Sequence, residues 1–158
     1  MKNTGNESRL PIGRKPVTNL LTATDRAIVS VAVILYIGYL IFYILKGDYQ
    51  HVYHSVLVPA VGFVAVGVLR RILKVERPAS ELSDKKKSYS FPSRHAYSVF
   101  AVSMVYLQTN FPAAIGIGIL GVVLCIVRVL KKVHFPKDVI VGGLLGIFCG
   151  FLGFLVLL

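Results

Sequence analysis

The chain has 158 residues, of which 55% are hydrophobic, and its mean hydropathy is +0.70. Soluble domains are usually about 45–50% apolar with glycine included, so the composition indicates a membrane protein rather than a soluble one. The formal net charge is +11, but the charges lie in blocks between apolar segments, which favours anionic lipid, a phosphate substrate or a topology signal over a nucleic-acid partner.

The chain opens with a polar lead-in over residues 1–25, and Thr24 or Asp25 is the predicted N-cap of the first helix. The remainder, residues 26–158, is predicted to be one transmembrane domain. Its first uncharged segment has 19 residues, close to the roughly 20 that cross about 30 Å of hydrocarbon. We predict about five spans, over residues 27–45, 52–69, 93–107, 113–127 and 139–158. The fold class is therefore an all-α, polytopic transmembrane helical bundle.

Glycines are frequent in the last two spans, and in the fifth they recur at Gly142, Gly146 and Gly150. A glycine at every fourth position lets two helix backbones approach closely in lipid. We expect this stripe to pack against another helix of the same chain. A homodimer face is the alternative.

Two polar segments interrupt the apolar chain: the first polar segment (residues 70–95) and the second polar segment (residues 128–138). Arg70 ends the second span and His95 begins the third, whereas Arg128 ends the fourth and Asp138 begins the fifth. Antiparallel connectivity places these four ends on one side of the membrane. The two polar segments are therefore predicted to be neighbours, with the site at one membrane face.

Lysine and arginine at the ends of spans often do no more than anchor helices in the headgroup region. We assign that role to Arg71, Lys74, Lys85, Lys86, Lys87, Lys131 and Lys132. It does not explain His95 and His134, since each lies close to a proline and an arginine at the end of a converging helix.

The polar segments contain the groups that a phosphate site needs. Guanidinium groups bind phosphate oxygens in a bidentate manner and stay charged, and four are available: Arg70, Arg77, Arg94 and Arg128. Ser93 can cap a helix whose first N–H groups attract anions. One histidine can attack phosphorus while another protonates the departing oxygen, and Asp138 follows His134 at the spacing that can fix the ring's tautomer. No step needs a metal or another cofactor, and the sequence shows no cluster of carboxylates to hold one.

The order and spacing of these residues resemble the type 2 phosphatidic acid phosphatase superfamily, whose signature is K-x6-RP, then PSGH, then SR-x5-H-x3-D. The matching motifs are Arg70-x6-Arg77-Pro78, Pro92-Ser93-Arg94-His95 and Val127-Arg128-x5-His134-x3-Asp138. Any one motif would be a weak signal, but three in order at fixed spacing are specific. They bracket residues 70–138.

The resemblance implies a membrane lipid phosphatase and a role for each matching residue. His134 would be the nucleophile that forms a phosphohistidine, Asp138 would orient it, and His95 would be the general acid for the leaving group. The phosphate would be held by Arg70, Arg77, Ser93, Arg94 (through its backbone N–H) and Arg128.

Three residues depart from the signature. Arg70 replaces a lysine, which keeps the charge but changes its reach and hydration. Arg94 replaces a glycine, and arginine would be strained there if the position required a positive φ. Val127 replaces a serine, which removes one hydroxyl. The family's usual six spans are also reduced to five in this chain.

The substrate implied is a lipid phosphate in the bilayer. Polyprenyl diphosphates such as undecaprenyl diphosphate, phosphatidylglycerol phosphate and phosphatidate all remain open. The alternative is a non-catalytic membrane protein that binds anionic lipid on a degenerate phosphatase scaffold, but both histidines and the aspartate are present. A basic nucleic-acid-binding protein would interleave aromatic residues with its charges, and the first polar segment offers only Tyr89 and Phe91.

We predict a multi-pass protein of a bacterial cell membrane, but two arguments about its orientation conflict. By the predicted topology, 17 of the 18 lysines and arginines lie on the side of the site, and only Lys46 lies opposite. The positive-inside rule then places the site in the cytoplasm. The family resemblance implies a site that faces away from the cytoplasm. The charge bias favours the cytoplasmic side.

Overall fold

The computed structural model describes residues 14–78 and 89–157. These residues form five helices and no strand: α1 (Arg14–Leu45), α2 (Tyr49–Leu73), α3 (Arg94–Leu107), α4 (Phe111–Leu130) and α5 (Pro136–Leu157). The prediction of an all-α helical bundle is confirmed. The first part of the predicted lead-in and the three lysines at 85–87 lie outside the described residues.

The first helix starts earlier than the sequence predicted. α1 begins at Arg14, so the prediction that Thr24 or Asp25 caps it is wrong. The charges of Asp25 and Arg26 look like the edge of an apolar span in the sequence. In the structure Asp25 lies in the helix interior and is only 9% exposed, because it forms ion pairs within the bundle.

Four of the five helices are long and apolar enough to cross a membrane, namely Val17–Leu45, Tyr49–Leu73, Phe111–Leu130 and Pro136–Leu155. α3 has only 14 residues. At 1.5 Å per residue it is about 21 Å long, which is shorter than the roughly 30 Å of hydrocarbon in a bilayer. The predicted third span is therefore a short central helix within the bundle.

α3 contacts each of the other four helices. Its two faces belong to two different cores. One core joins Val99 and Val102 to α1 and α4, and the other joins Tyr97 and Ala101 to α2 and α5. α3 begins at the end of the first polar segment. Its packing against the other four helices therefore fixes where the site lies along the axis of the bundle.

The glycine stripe of α5 packs against α3. A methyl group at Gly142 would overlap the carbonyl oxygen of Ser93, and one at Gly146 would overlap that of Tyr97. Close packing within the chain is therefore confirmed for this stripe. The homodimer stays an untested prediction.

Pro59 lies within α2, and tyrosines of two neighbouring helices donate hydrogen bonds to carbonyls near it. Proline has no N–H, so the carbonyl of Ser55, one turn earlier, loses its helical partner. The Tyr36 hydroxyl of α1 donates to that carbonyl at 2.8 Å, and the Tyr97 hydroxyl of α3 donates to the carbonyl of Pro59 at 2.9 Å. Satisfying these groups inside the bundle is what permits the proline within a span.

Candidate active site

The C-terminal ends of α2 and α4 meet the N-terminal ends of α3 and α5 at one end of the bundle. The Ser93 N–H donates to the carbonyl of Asp138 at 2.9 Å, and Arg77 Nη1 donates to the carbonyl of Val133 at 2.9 Å. These bonds join the first polar segment to the second. The prediction that the two polar segments are neighbours is confirmed.

His134 lies in the turn between α4 and α5, and this turn has a clear local cause. α4 ends at Leu130, and Lys132 adopts a left-handed conformation with φ 50°. Pro136 then starts α5, where its missing N–H does no harm. Asp138, in the first turn of α5, accepts a hydrogen bond from the Phe135 N–H at 2.9 Å, as in a capping box.

Asp138 also faces His134. Its Oδ2 lies 3.5 Å from His134 Nδ1, slightly longer than an ordinary hydrogen bond. The two residues are 0% and 3% exposed, so the pair is shielded from water. An aspartate at Nδ1 favours the tautomer with its proton on that nitrogen, which leaves Nε2 with a free electron pair.

The electrostatic surroundings keep His134 neutral. Burial holds its pKa well below the ordinary value, and the charges of Arg77, Arg128 and Arg70 lower it further. A neutral imidazole is the form that can act as a nucleophile. The same three guanidinium charges would attract a phosphate dianion.

Arg70 donates hydrogen bonds to backbone carbonyls of the segment that precedes α3. Its Nη1 donates to the carbonyls of Pro92 at 2.9 Å and Ser90 at 3.4 Å, and its Nη2 donates to the carbonyl of Tyr89. A lysine ammonium lacks the planar fork that serves several carbonyls at once. The arginine at this position therefore clamps the first polar segment, in addition to any contact with phosphate.

Ser93 and Arg94 begin α3 as predicted. Ser93 is the N-cap, and its hydroxyl accepts from the Ala96 N–H at 3.5 Å. The positive-φ residues among the described non-glycines are Lys74 and Lys132, so Arg94 is not strained. Its exposed side chain places the guanidinium carbon 5.8 Å from the centre of the Phe63 ring on α2.

His95 differs from His134 in being exposed, and it lines an apolar groove. The groove has a volume of about 490 Å³ and lies between α1, α2 and α3. Val33 and Val64 on its walls are exposed, so it opens on the apolar flank of the bundle. His95 thus lies where the candidate site meets a surface suited to a hydrocarbon chain.

Arg128 is only 4% exposed, and its partner is a residue that the motif analysis did not include. Asp25 of α1 lies 2.9 Å from Arg128 Nε and 3.0 Å from Lys131 Nζ. Lys131, predicted to be a headgroup anchor, is instead a buried ion-pair partner. The sequence held one signal that could have identified Asp25. A carboxylate within an apolar helix is by default a candidate functional residue.

The described residues contain no group of three or more His, Cys, Asp or Glu side chains that could hold a metal ion.

Comparisons with known proteins agree with this fold. The chain is similar to the crystal structure of Aquifex aeolicus LpxE, with a TM-score of 0.67, 24% identity, and coverage of 94% of this chain and 89% of that one. It is also similar to the first transmembrane PAP2 type phosphatidylglycerolphosphate phosphatase from Bacillus subtilis, with a TM-score of 0.67, 25% identity, and coverage of 92% and 76%. No curated protein matches significantly. The model of the PAP2 superfamily matches residues 64–157, which include every motif described above, and the chain belongs to that superfamily.

Proposed function

We propose that the protein is a lipid phosphatase that hydrolyses a phosphomonoester or diphosphate of a membrane lipid through a phosphohistidine at His134. The observation that carries this proposal is the position of the His134–Asp138 pair. The pair is buried and surrounded by guanidinium groups, and His95, whose charge also acts on His134, lines an apolar groove.

In the first step, the electron pair of His134 Nε2 attacks phosphorus. The bond from phosphorus to the leaving oxygen breaks, and His95 gives that oxygen a proton. Asp138 stabilises the positive charge that develops on the His134 ring. Arg77, Arg128 and the first N–H groups of α3 stabilise the phosphoryl oxygens.

In the second step, His95 accepts a proton from a water molecule, and that water attacks the phosphohistidine. The bond between His134 Nε2 and phosphorus breaks, inorganic phosphate is released, and both histidines return to their starting forms. The exposure of His95 suits this exchange, because the residue must reach first the leaving group and then water.

The substrate class follows from the groove. A lipid whose chain lies between α1, α2 and α3 places its phosphate next to His95 without leaving the bilayer. Undecaprenyl diphosphate and other polyprenyl diphosphates, phosphatidylglycerol phosphate and phosphatidate all meet this requirement. The two similar structures support a bacterial cell membrane as the location.

A panel assay with purified protein tests the proposal. We expect phosphate release from at least one of these lipids, inhibition by orthovanadate, and unchanged activity in EDTA. Abolition by EDTA with recovery on adding magnesium would contradict the histidine mechanism. Lipid binding without phosphate release would identify the non-catalytic alternative.

The intermediate has its own test. Rapid quenching with a ³²P-labelled substrate should trap an acid-labile phosphoprotein in the wild type. The label should be absent from His134→Gln. A label that persists in His134→Gln would place the covalent step on another residue.

A further inference from the structure

We propose that Asp25 of α1 is a positioning residue that orients Arg128 towards the substrate phosphate. The inference rests on the proposed function only in that Arg128 binds the phosphate. Asp25 lies outside the segment that matches the family model and in none of the three motifs.

The first observation is the burial of a charged cluster. Asp25, Arg128 and Lys131 are 9%, 4% and 9% exposed. Removing charges from water carries a large free-energy penalty, so such a cluster persists only where the charges compensate one another. The carboxylate here holds a cation on each side, at 2.9 and 3.0 Å.

The second observation is which nitrogen of Arg128 is engaged. Asp25 Oδ1 lies 2.9 Å from Nε, the nitrogen nearest the side-chain stem, as an ion pair without hydrogen-bond alignment. Among the described residues, no hydrogen bond or ion pair involves the two terminal nitrogens. A guanidinium held at Nε keeps both terminal nitrogens available in one plane, which is the arrangement that binds a phosphate in a bidentate manner.

The third observation concerns which side chain each buried acid faces. The described residues include four carboxylates, at Asp25, Asp48, Glu76 and Asp138, and only Asp25 and Asp138 are buried. Asp138 faces the ring of His134 at 3.5 Å. Asp25 holds a cation whose charge acts on that same ring. Each buried acid therefore has one functional side chain to orient.

Lys131 explains why Asp25 can remain charged without cancelling Arg128. One carboxylate facing two cations leaves the cluster with a net positive charge. The positive field at the phosphate site is therefore kept while the guanidinium is held in place. A neutral residue at position 25 would leave two buried cations facing each other.

The test measures orthovanadate binding as a shift in thermal unfolding of the detergent-purified protein, which needs no turnover. We expect Asp25→Asn to weaken binding roughly 10-fold, as loss of one charged contact does. Asp25→Glu, which restores the carboxylate, should recover part of the affinity. The matched control is Asp48→Asn, at the opposite end of the bundle, where Asp48 pairs with His51 at 2.8 Å and caps α2. It should bind vanadate as the wild type does.

A double-substitution cycle identifies the route of the effect. If Asp25 acts through Arg128, then Asp25→Asn should weaken vanadate binding little further in an Arg128→Lys background, because lysine has no Nε to hold. Independent, multiplying effects would overturn the proposal. So would an Asp25→Asn protein that unfolds at lower temperature yet binds vanadate as tightly as the wild type.

If Asp25→Asn does not fold, Asp25→Glu decides the question, since it keeps the charge but moves the carboxylate. Wild-type vanadate affinity in that variant and also in an Asp25→Asn, Lys131→Gln protein, which loses one buried cation together with the acid, would overturn the proposal. Failure of the proposed function is a separate outcome. In that case the wild type would bind vanadate but would release phosphate from none of the lipids.

Discussion

The two histidines of the site have different surroundings, and their chemistry should differ accordingly. His134 is buried beside Asp138, whereas His95 is exposed at the groove. A nucleophile benefits from a fixed, neutral ring. A general acid and base must exchange protons with water and with the leaving group.

We therefore predict unequal defects in the two alanine variants. His134→Ala should abolish turnover of every substrate. His95→Ala should reduce turnover of a lipid phosphate roughly 10²–10⁴-fold, the usual contribution of a general acid. On p-nitrophenyl phosphate, whose leaving group needs no proton, the His95→Ala defect should shrink. Equal His95→Ala defects on both substrates would contradict the assigned roles.

The protonation of His134 gives a second prediction. Burial and the charges of Arg77, Arg128 and Arg70 lower its pKa, so the ring should stay neutral as the pH falls through the ordinary value near 6.5. Its NMR resonance, assigned by its loss in His134→Gln, should not shift between pH 8 and 5. A titration midpoint between 6 and 7 would mean that Asp138 outweighs burial and the arginines.

Arg94 gives a third prediction, about the substrate. Its guanidinium lies beside Phe63, a groove residue, at the junction between the phosphate site and the groove. In a diphosphate, the leaving phosphate must occupy that junction. Arg94→Gln should therefore lower kcat/KM about 10-fold for a polyprenyl diphosphate and less for phosphatidate. Arg71→Gln, which removes another exposed cation of the same face, is the control and should affect both substrates alike.

The placement of the candidate catalytic residues could be predicted from sequence because each lies at a helix end with a fixed local spacing. His134 and Asp138 are one turn apart, and Ser93 caps the helix that carries His95. The ion pair between Asp25 and Arg128 could not be predicted in this way, since it joins residues far apart in the chain. Neither could the bonds from Arg70 to the loop carbonyls, which depend on how the first polar segment folds back.

At the scale of elements, the contact between α3 and α5 determines whether the site is assembled. Gly142 touches the backbone of Ser93, and that backbone cannot move aside without displacing the start of α3. A flexible side chain at this contact could have adjusted. The tolerance for added volume is therefore small.

We predict that Gly142→Ala destabilises the protein by about 1–3 kcal/mol, the usual effect of overpacking, and lowers activity as well. Gly116→Ala is the matched control, because a methyl group there meets nothing within 4 Å. That variant should be neutral or slightly stabilising, since alanine favours helix over glycine. Thermal unfolding in detergent measures both. A Gly142→Ala protein as stable and active as the wild type would contradict the packing argument.

At the scale of the whole molecule, the ion pair of Asp25 with Arg128 puts the site level with the first half of α1. Among the described residues, the basic ones at the start of α1 and in both polar segments therefore lie towards one membrane face, and Lys46 lies towards the other. The loops are short, which is the condition under which the positive-inside rule applies.

We predict a cytoplasmic site on this basis. The test is a single cysteine at Ser83, which lies outside the described residues, in a Cys125→Ala, Cys149→Ala background. A membrane-impermeant thiol reagent should label it only after cells are permeabilised. Labelling of intact cells would place the site on the outer side, as the family resemblance implies.

The shortness of α3 has a consequence for the surrounding lipid. Near its end, the Tyr106 ring packs against Tyr39, at 5.1 Å between centres, and α1 continues for six more residues to Leu45. Six helical residues correspond to about 9 Å. The polar turn after α3 therefore lies about this far inside the end of α1, at a depth where the longer helices face hydrocarbon. Its polar groups favour headgroups and water over lipid tails, so we expect a thinner bilayer along this flank, and such hydrophobic mismatch favours the thinner membranes of a cell.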